Sequence, residues 1–236
     1  MEQLIAACSE ALHLLFSGDA AVWRIVFLSL LTSLGALLLA APCAILLAYF
    51  IATRAFRGRS ILIWLLQTSL SMPTVLVGLL LYLLLSRHGI LGGLQWLFTA
   101  KALVLGQALI GFPLMSSFVL SGLQACDTRL AETLRSLGAN PWQTMLGVLR
   151  ESRFAVMAAL IHGFGRVISE VGCAMMVGGN ILGVSRTMTT AIALETSKGE
   201  FAQAIALGFV LLFVALILNA CLALLQGQAK QVGSAA

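Results

Sequence analysis

The chain has 236 residues, 60% hydrophobic and 10% charged, with a formal net charge of +5 and a mean hydropathy of +1.02. A soluble domain usually carries about 25% charged residues, so the composition excludes a soluble enzyme and describes a polytopic membrane protein with no nucleic-acid partner. Spanning segments of about 20 residues with short connections consume the length, and no soluble catalytic domain is left over.

Residues 1–20 come first, with the run L-I-A-A-C-S-E-A-L-H-L-L-F preceded by acidic Glu2 and no basic residue. A secretory signal needs a positive region ahead of its apolar stretch. The segment therefore reads as a short interfacial helix, with a frayed terminus as the alternative.

Five apolar spans follow: Val22 to Thr53, Ile61 to Leu85, Ala102 to Leu123, Phe154 to Val177 and Ala204 to Leu225. The first is long enough to tilt, kink or protrude, and Pro42 is its natural kink. Pro73 and Pro113 stand in the second and third spans, where they shape a pathway or simply aid packing.

An odd number of spans puts the termini on opposite sides. Arg54, Arg57, Arg59, Arg129, Arg135, Arg150, Arg153 and Lys230 fall on one side; Arg24, Arg87, Lys101, Arg186 and Lys198 are spread over the other. The positive-inside rule makes the first set cytoplasmic, the N-terminus external and the C-terminus internal.

Between the third and fourth spans, residues 127–153 form a polar interruption, D-T-R-L-A-E-T-L-R-S-L-G-A-N-P-W-Q-T-M-L-G-V-L-R-E-S-R. Asp127 can cap a helix that Gly138 ends, and Asn140 can cap a second helix with Pro141 in its first turn. The second helix leads straight into the fourth span, so a force at the turn passes into the membrane.

Within the fourth span His162, Arg166 and Glu170 recur every fourth residue, on one helix face with Ser169 and Cys173 beside it. Charges at membrane depth must be paired or wet. The Arg166–Glu170 pair reads as a tie between helices or subunits, with anion contact by Arg166 or a gating exchange of partners as alternatives. His162 and the Met175–Met176 pair read as packing.

Beyond that span lie Gly178, Gly179, Asn180, Arg186, Thr187, Thr189 and Thr190. Hydroxyls, amides and one cation could line a polar path, and the glycines could turn backbone N–H groups into it. Ordinary loop chemistry explains the same residues. The five cysteines, Cys8, Cys43, Cys126, Cys173 and Cys221, form no C-x-x-C pair or Cys/His cluster. They read as buried small hydrophobes, and no metal site is expected.

No G-x-x-x-x-G-K-[ST], H-E-x-x-H or G-x-S-x-G motif is present, so no catalytic residue is assigned. Glu132, Gly138 and Val148, at spacings of six and ten, resemble the cytoplasmic EAA loop of ABC importer permeases. Thr133 and Leu134 replace the two alanines of that motif, and Arg150-Glu151 replaces its closing Leu-Pro. The stretch Ser169 to Ile181, S-E-V-G-C-A-M-M-V-G-G-N-I, with Arg186 to Phe201, resembles molybdate and especially tungstate permeases, in which the loop also ends in a Leu-Arg-Glu type sequence. The V-W-R-I-V opening at Val22 to Val26 extends the resemblance across the chain.

The resemblance implies an all-α permease of the type I ABC importer fold, with five transmembrane helices, a cytoplasmic coupling loop at 127–153 and a single domain over 1–236. It implies that Glu132, Arg135, Gly138 and Ala139 dock on an ABC ATPase dimer, which binds the ATP and Mg that this chain does not. It also implies a second copy of the chain, an extracytoplasmic substrate-binding protein, and residence in a bacterial or archaeal cytoplasmic membrane. The cargo would be a tetrahedral oxyanion, tungstate ahead of molybdate or sulfate. Arg166, Ser169, Glu170, Asn180 and Arg186 are the candidates for its path or gate.

Overall fold

The computed structural model describes the backbone of residues 9, 11–13, 16–125 and 129–234, and side chains as far as residue 225. The described residues contain helices and turns and no strand. In chain order the helices are α1 (Ala20–Thr53), α2 (Arg59–Leu70), α3 (Thr74–Leu85), α4 (Ala100–Ala125), α5 (Arg129–Ser136), α6 (Pro141–Glu151), α7 (Arg153–Ile168), α8 (Gly172–Gly178), α9 (Met188–Lys198) and α10 (Phe201–Ser234), with a short 3-10 turn at Gly92–Leu94. The proposed Asp127 cap and most of the 1–20 segment lie outside the described residues.

Three of the five expected spans are continuous helices. They are α1, α4 and the Phe201–Leu225 part of α10, all apolar enough to cross a membrane. At ~1.5 Å per residue the 34 residues of α1 run to roughly 51 Å, well beyond a ~30 Å hydrocarbon core.

The other two spans are broken. The second bends by 100° between α2 and α3, and the fourth by 59° between α7 and α8. The first break has a local cause. Pro73 has φ −60° and ψ 119°, extended rather than helical, and a proline also disfavours the α conformation in the residue before it. The kink expected at Pro42 is displaced in this sense: α1 passes through Pro42 and α4 through Pro113 as uninterrupted helices, and Pro73 is the proline at a break.

The chain forms two compact units, Met1–Ala36 with Pro73–Ile110 and Gly165–Ile217, and Leu37–Met72 with Gly111–Phe164 and Leu218–Ala236. It passes from one unit to the other within each of the five spans, and this sorts its cations. Arg54, Arg57, Arg59, Arg129, Arg135, Arg150 and Arg153 belong to the second unit; Arg24, Arg87, Lys101, Arg186 and Lys198 belong to the first. The two sets are those assigned to opposite sides from the sequence.

The first unit is built around Leu81, Leu85, Ala102, Leu103, Cys173, Ala174 and Val177. Close approach is possible because the neighbouring helices present glycine. A Cβ at Gly106 would lie 2.7 Å from Cys173 Sγ, and one at Gly78 would lie 2.8 Å from Cys173 Cα. The short α8 is thereby seated against α3 and α4. The second unit packs Ala48, Ile51, Leu66, Val119, Leu120, Leu123, Val148 and Ala159 together, with Leu130 and Ala131 of α5 against them.

The expectation of buried cysteines holds for Cys173 but not for Cys43 or Cys221, which are exposed. Both lie on spans whose outer faces also expose Leu38, Leu46, Leu216 and Leu224. A membrane protein needs no internal burial for such groups. Cys8 and Cys126 lie outside the described residues.

Candidate functional site: a helix-turn-helix loop and a broken span

In the second unit, α5 and α6 form the helix-turn-helix. Gly138, at φ +85°, occupies the left-handed position that ends a helix; its N–H bonds to Arg135 O at 3.0 Å and Ala139 N to Leu134 O at 3.0 Å. These two bonds are the Schellman closure, which satisfies carbonyls left over at a helix end. Asn140 then opens α6 with a capping box: Gln143 N donates to Asn140 Oδ1 at 2.8 Å, and Asn140 N donates to Gln143 Oε1 at 2.9 Å. Pro141 takes the first helical position, where a missing N–H costs nothing.

The turn is closed by hydrogen bonds on both sides, and it is tied to the span behind it. Only Ser152 separates α6 from α7, with its Oγ bonded to Val148 O at 2.8 Å and its carbonyl accepting from Val156 N at 3.0 Å. Thr144, Met145 and Val148 bury one face of α6. The opposite side is open. Glu132, Arg135 and Gly138 are exposed and Ala139 is half-buried, while Leu137 is 80% and Trp142 62% exposed. Reading the sequence for charge passed over these two apolar groups at the tip; their signal was position beside the Gly138 stop and the Pro141 start.

In the first unit, the fourth span ends α7 at Ile168 and resumes as α8 at Gly172. Glu170 lies in the gap and is 2% exposed. Its Oε2 accepts from Arg166 Nη1 at 2.7 Å and its Oε1 from Cys173 N at 3.1 Å, while its carbonyl accepts from Thr189 Oγ1 of α9 at 2.8 Å. Arg166 keeps 41% of its side chain exposed. The expected pair is therefore present, but the continuous helical face is not. Glu170 ties the end of α7 to the first turn of α8, and its buried charge is met by a cation and a backbone N–H.

Ser169 turns back on its own helix, donating to Gly165 O at 2.9 Å or Arg166 O at 3.1 Å. His162 stacks on Phe118 at 5.3 Å between centroids, as packing. Ser169 thus meets the cluster only at the backbone carbonyl of Arg166 among the described residues.

The Thr-rich segment after the span, expected as loop, contains a helix. Thr187 caps α9 through a capping box with Thr190, and Gly199 ends it at φ +84°. Met188 N donates to Ser29 Oγ of α1 at 2.7 Å. The hydroxyls of Thr187, Thr189 and Thr190 lie within 3.1 Å of one another in two pairs.

Asn180, at φ +53°, donates from Nδ2 to Thr190 O at 3.1 Å and accepts Arg186 Nη2 at its carbonyl at 3.3 Å. Arg166, Glu170, Asn180 and Arg186 thus belong to one polar network running through α9. The glycines have local duties: Gly179 N closes α8 on Met175 O at 3.1 Å, and Gly178 O accepts from Ser185 Oγ. They read as a helix stop.

Two participants were not legible beforehand. Glu195, 4% exposed, sits 3.6 Å from Arg186 Nη1 and 3.1 Å from Lys198 Nζ. Gln107 of α4, 3% exposed, reaches Val167 O at 3.5 Å through Nε2. The i, i+3 spacing of Glu195 and Lys198 was a weak hint; a lone glutamine in an apolar helix gave only its polarity.

Residues 40–230 match the model of the family described as binding-protein-dependent transport system inner membrane component. The chain belongs to that family. The match takes in the α5–α6 loop, both broken spans and α9 of this inner membrane component. It is similar to the tungstate uptake system permease protein TupB of Campylobacter jejuni, 37% identical over 93% of this chain and 92% of that one. The TupB of Peptoclostridium acidaminophilum is also 37% identical, over 96% and 99%. The molybdenum transport system permease protein ModB of Haemophilus influenzae is 31% identical over 70% of this chain and 76% of its own length.

Among solved structures, a bacterial alginate ABC transporter crystallised with its alginate-bound periplasmic protein has a chain that superposes with a TM-score of 0.68 at 18% identity, covering 91% of this chain and 80% of that one. The fold is that of the ABC importer permeases.

Proposed function

We propose that the chain is the membrane-spanning subunit of an ATP-driven importer for a tetrahedral oxyanion, tungstate first. The observation that carries this reading is identity of 37% along nearly the whole of two tungstate permeases, against 31% over a shorter stretch of a molybdenum permease. Its membrane is the cytoplasmic membrane of a bacterium or archaeon.

Power comes from a partner. The exposed tip around Glu132, Arg135, Gly138 and Ala139, with Leu137 and Trp142, docks on a cytoplasmic ABC ATPase dimer that binds ATP and Mg. Two copies of this chain present two such tips. An extracytoplasmic binding protein delivers the anion to the unit holding the outer loops Arg87 to Lys101 and Gly178 to Glu200, so the N-terminus is external and the C-terminus cytoplasmic. ATP binding closes the ATPases, moves α5 and α6, and through Ser152 pushes on the fourth span. The Arg166–Glu170 cluster, with Ser169, Asn180 and Arg186, lies on the path or gate. A positive, hydroxyl-lined route suits an anion in transit.

The test is uptake by proteoliposomes containing the permease, its ATPase and its binding protein, with tungstate, molybdate and sulfate in competition. Tungstate uptake resisting a tenfold excess of sulfate is the expected result. Preference for molybdate would move the substrate assignment to that anion, and uptake of sulfate alone would overturn it.

A further inference from the structure

Breaking a helix inside an apolar span frees backbone groups that lipid cannot satisfy. At the break in the fourth span one backbone bond and three side-chain bonds meet these groups. Val167 O accepts Glu170 N at 3.2 Å and Gln107 Nε2 at 3.5 Å, the long end of hydrogen bonding. Glu170 O accepts Thr189 Oγ1 at 2.8 Å, and Cys173 N donates to Glu170 Oε1 at 3.1 Å.

Two of the suppliers, Gln107 and Thr189, come from other helices and are themselves buried at 3% and 6% exposure. α9, which carries Thr189, is anchored in turn by Ser29 of α1. One more feature sets Gln107 apart: its Oε1 is buried with no hydrogen-bond partner. A buried acceptor without a donor is poorly placed in this arrangement and would be better placed in another.

We propose that Thr189 and Gln107 are positioning residues of the transport cycle: they hold the freed backbone of the 169–171 break, and the permease changes state by exchanging these hydrogen bonds. Their proposed action is on the backbone of the break, not on the anion or the ATPase. The inference rests on the importer reading above and adds to it the place where the fourth span yields. A push arriving through Ser152 has a hinge to work on, and the bonds at that hinge set how much of the push becomes movement.

The experiment uses Thr189→Val and Gln107→Met, each close in shape to the native residue, in the complete reconstituted complex. Thr189→Ser serves as the conservative variant. Ser121→Ala is the control, since it removes a helix-internal bond to Ser117 O elsewhere. ATP hydrolysis and anion uptake are measured together, with deuterium exchange across residues 169–175.

Thr189→Val and Gln107→Met are expected to hydrolyse ATP at the wild-type order while uptake per ATP falls tenfold or more. Exchange at 169–175 should rise, and Thr189→Ser should recover uptake per ATP to within twofold. Wild-type uptake per ATP in both variants would overturn the proposal, as would a loss that merely follows the quantity of assembled complex. If wild-type vesicles import no oxyanion, the importer reading fails by itself. Exchange then decides the inference: faster exchange at 169–175 in Thr189→Val supports the hinge, and unchanged exchange sinks it.

Discussion

Gly106 and Gly138 are both required, for different physical reasons, and their substitutions separate those reasons. A Cβ at Gly138 meets nothing within 4 Å, so its constraint is the φ of +85° alone; an alanine there costs about 1 kcal/mol in the left-handed region. At Gly106 the space is missing, because Cys173 Sγ would lie 2.7 Å from the new carbon. Gly106→Ala should destabilise the protein by about 1–3 kcal/mol, and adding Cys173→Ala should return most of that. Thermal unfolding of the purified single and double variants checks this; additive losses would mean that the Sγ contact is not the cause. The sequence announced Gly138, since a glycine after R-L-A-E-T-L-R-S-L is a helix stop. It was silent on Gly106, whose demand comes from a residue 67 positions away.

At the scale of the element, legibility follows where the determining interaction lies. The turn between α5 and α6 was legible because its causes are local: the Gly138 stop, the Asn140 capping box and the Pro141 start all act on near neighbours in the chain. Asn140→Ala should cost about 1 kcal/mol of α6 stability and speed amide exchange in residues 141–145; unchanged exchange there would mean that burial of Thr144 and Met145 alone holds the first turn.

The broken fourth span was illegible for the converse reason. Phe154 to Val177 is apolar enough to be one helix, and the groups that let it break, Gln107 and Thr189, lie in other helices. The helix α9 was hidden by its threonines, which read as loop, although the Thr187 capping box and the Gly199 stop were both there to be seen. Pro73 was noticed alongside Pro113, while Pro42 was singled out as the natural kink. Only the folded chain distinguishes it from Pro42 and Pro113, which continuing helices absorb.

For the whole molecule, hydropathy and cation placement carried most of what could be known. Five spans and an odd number of crossings predict two sets of loops, and the two compact units hold those same two sets of basic residues. Cysteines placed at Ile90 and Leu137, which are 90% and 80% exposed, give a direct test of orientation in cells. A membrane-impermeant maleimide should label the first from outside and the second only after the membrane is opened. Labelling in the reverse pattern would invert the proposed topology and place the α5–α6 turn where no cytoplasmic ATPase could reach it.

We propose that the α5–α6 turn transmits the work of a partner ATPase into the membrane. It is tested most directly by ATP-dependent tungstate accumulation in vesicles carrying the full complex, comparing wild type with Glu132→Ala and Gly138→Asp at equal amounts of inserted permease. Coupling through this turn predicts at least a tenfold fall in accumulation for both variants with insertion unchanged; accumulation at the wild-type rate in both would contradict it.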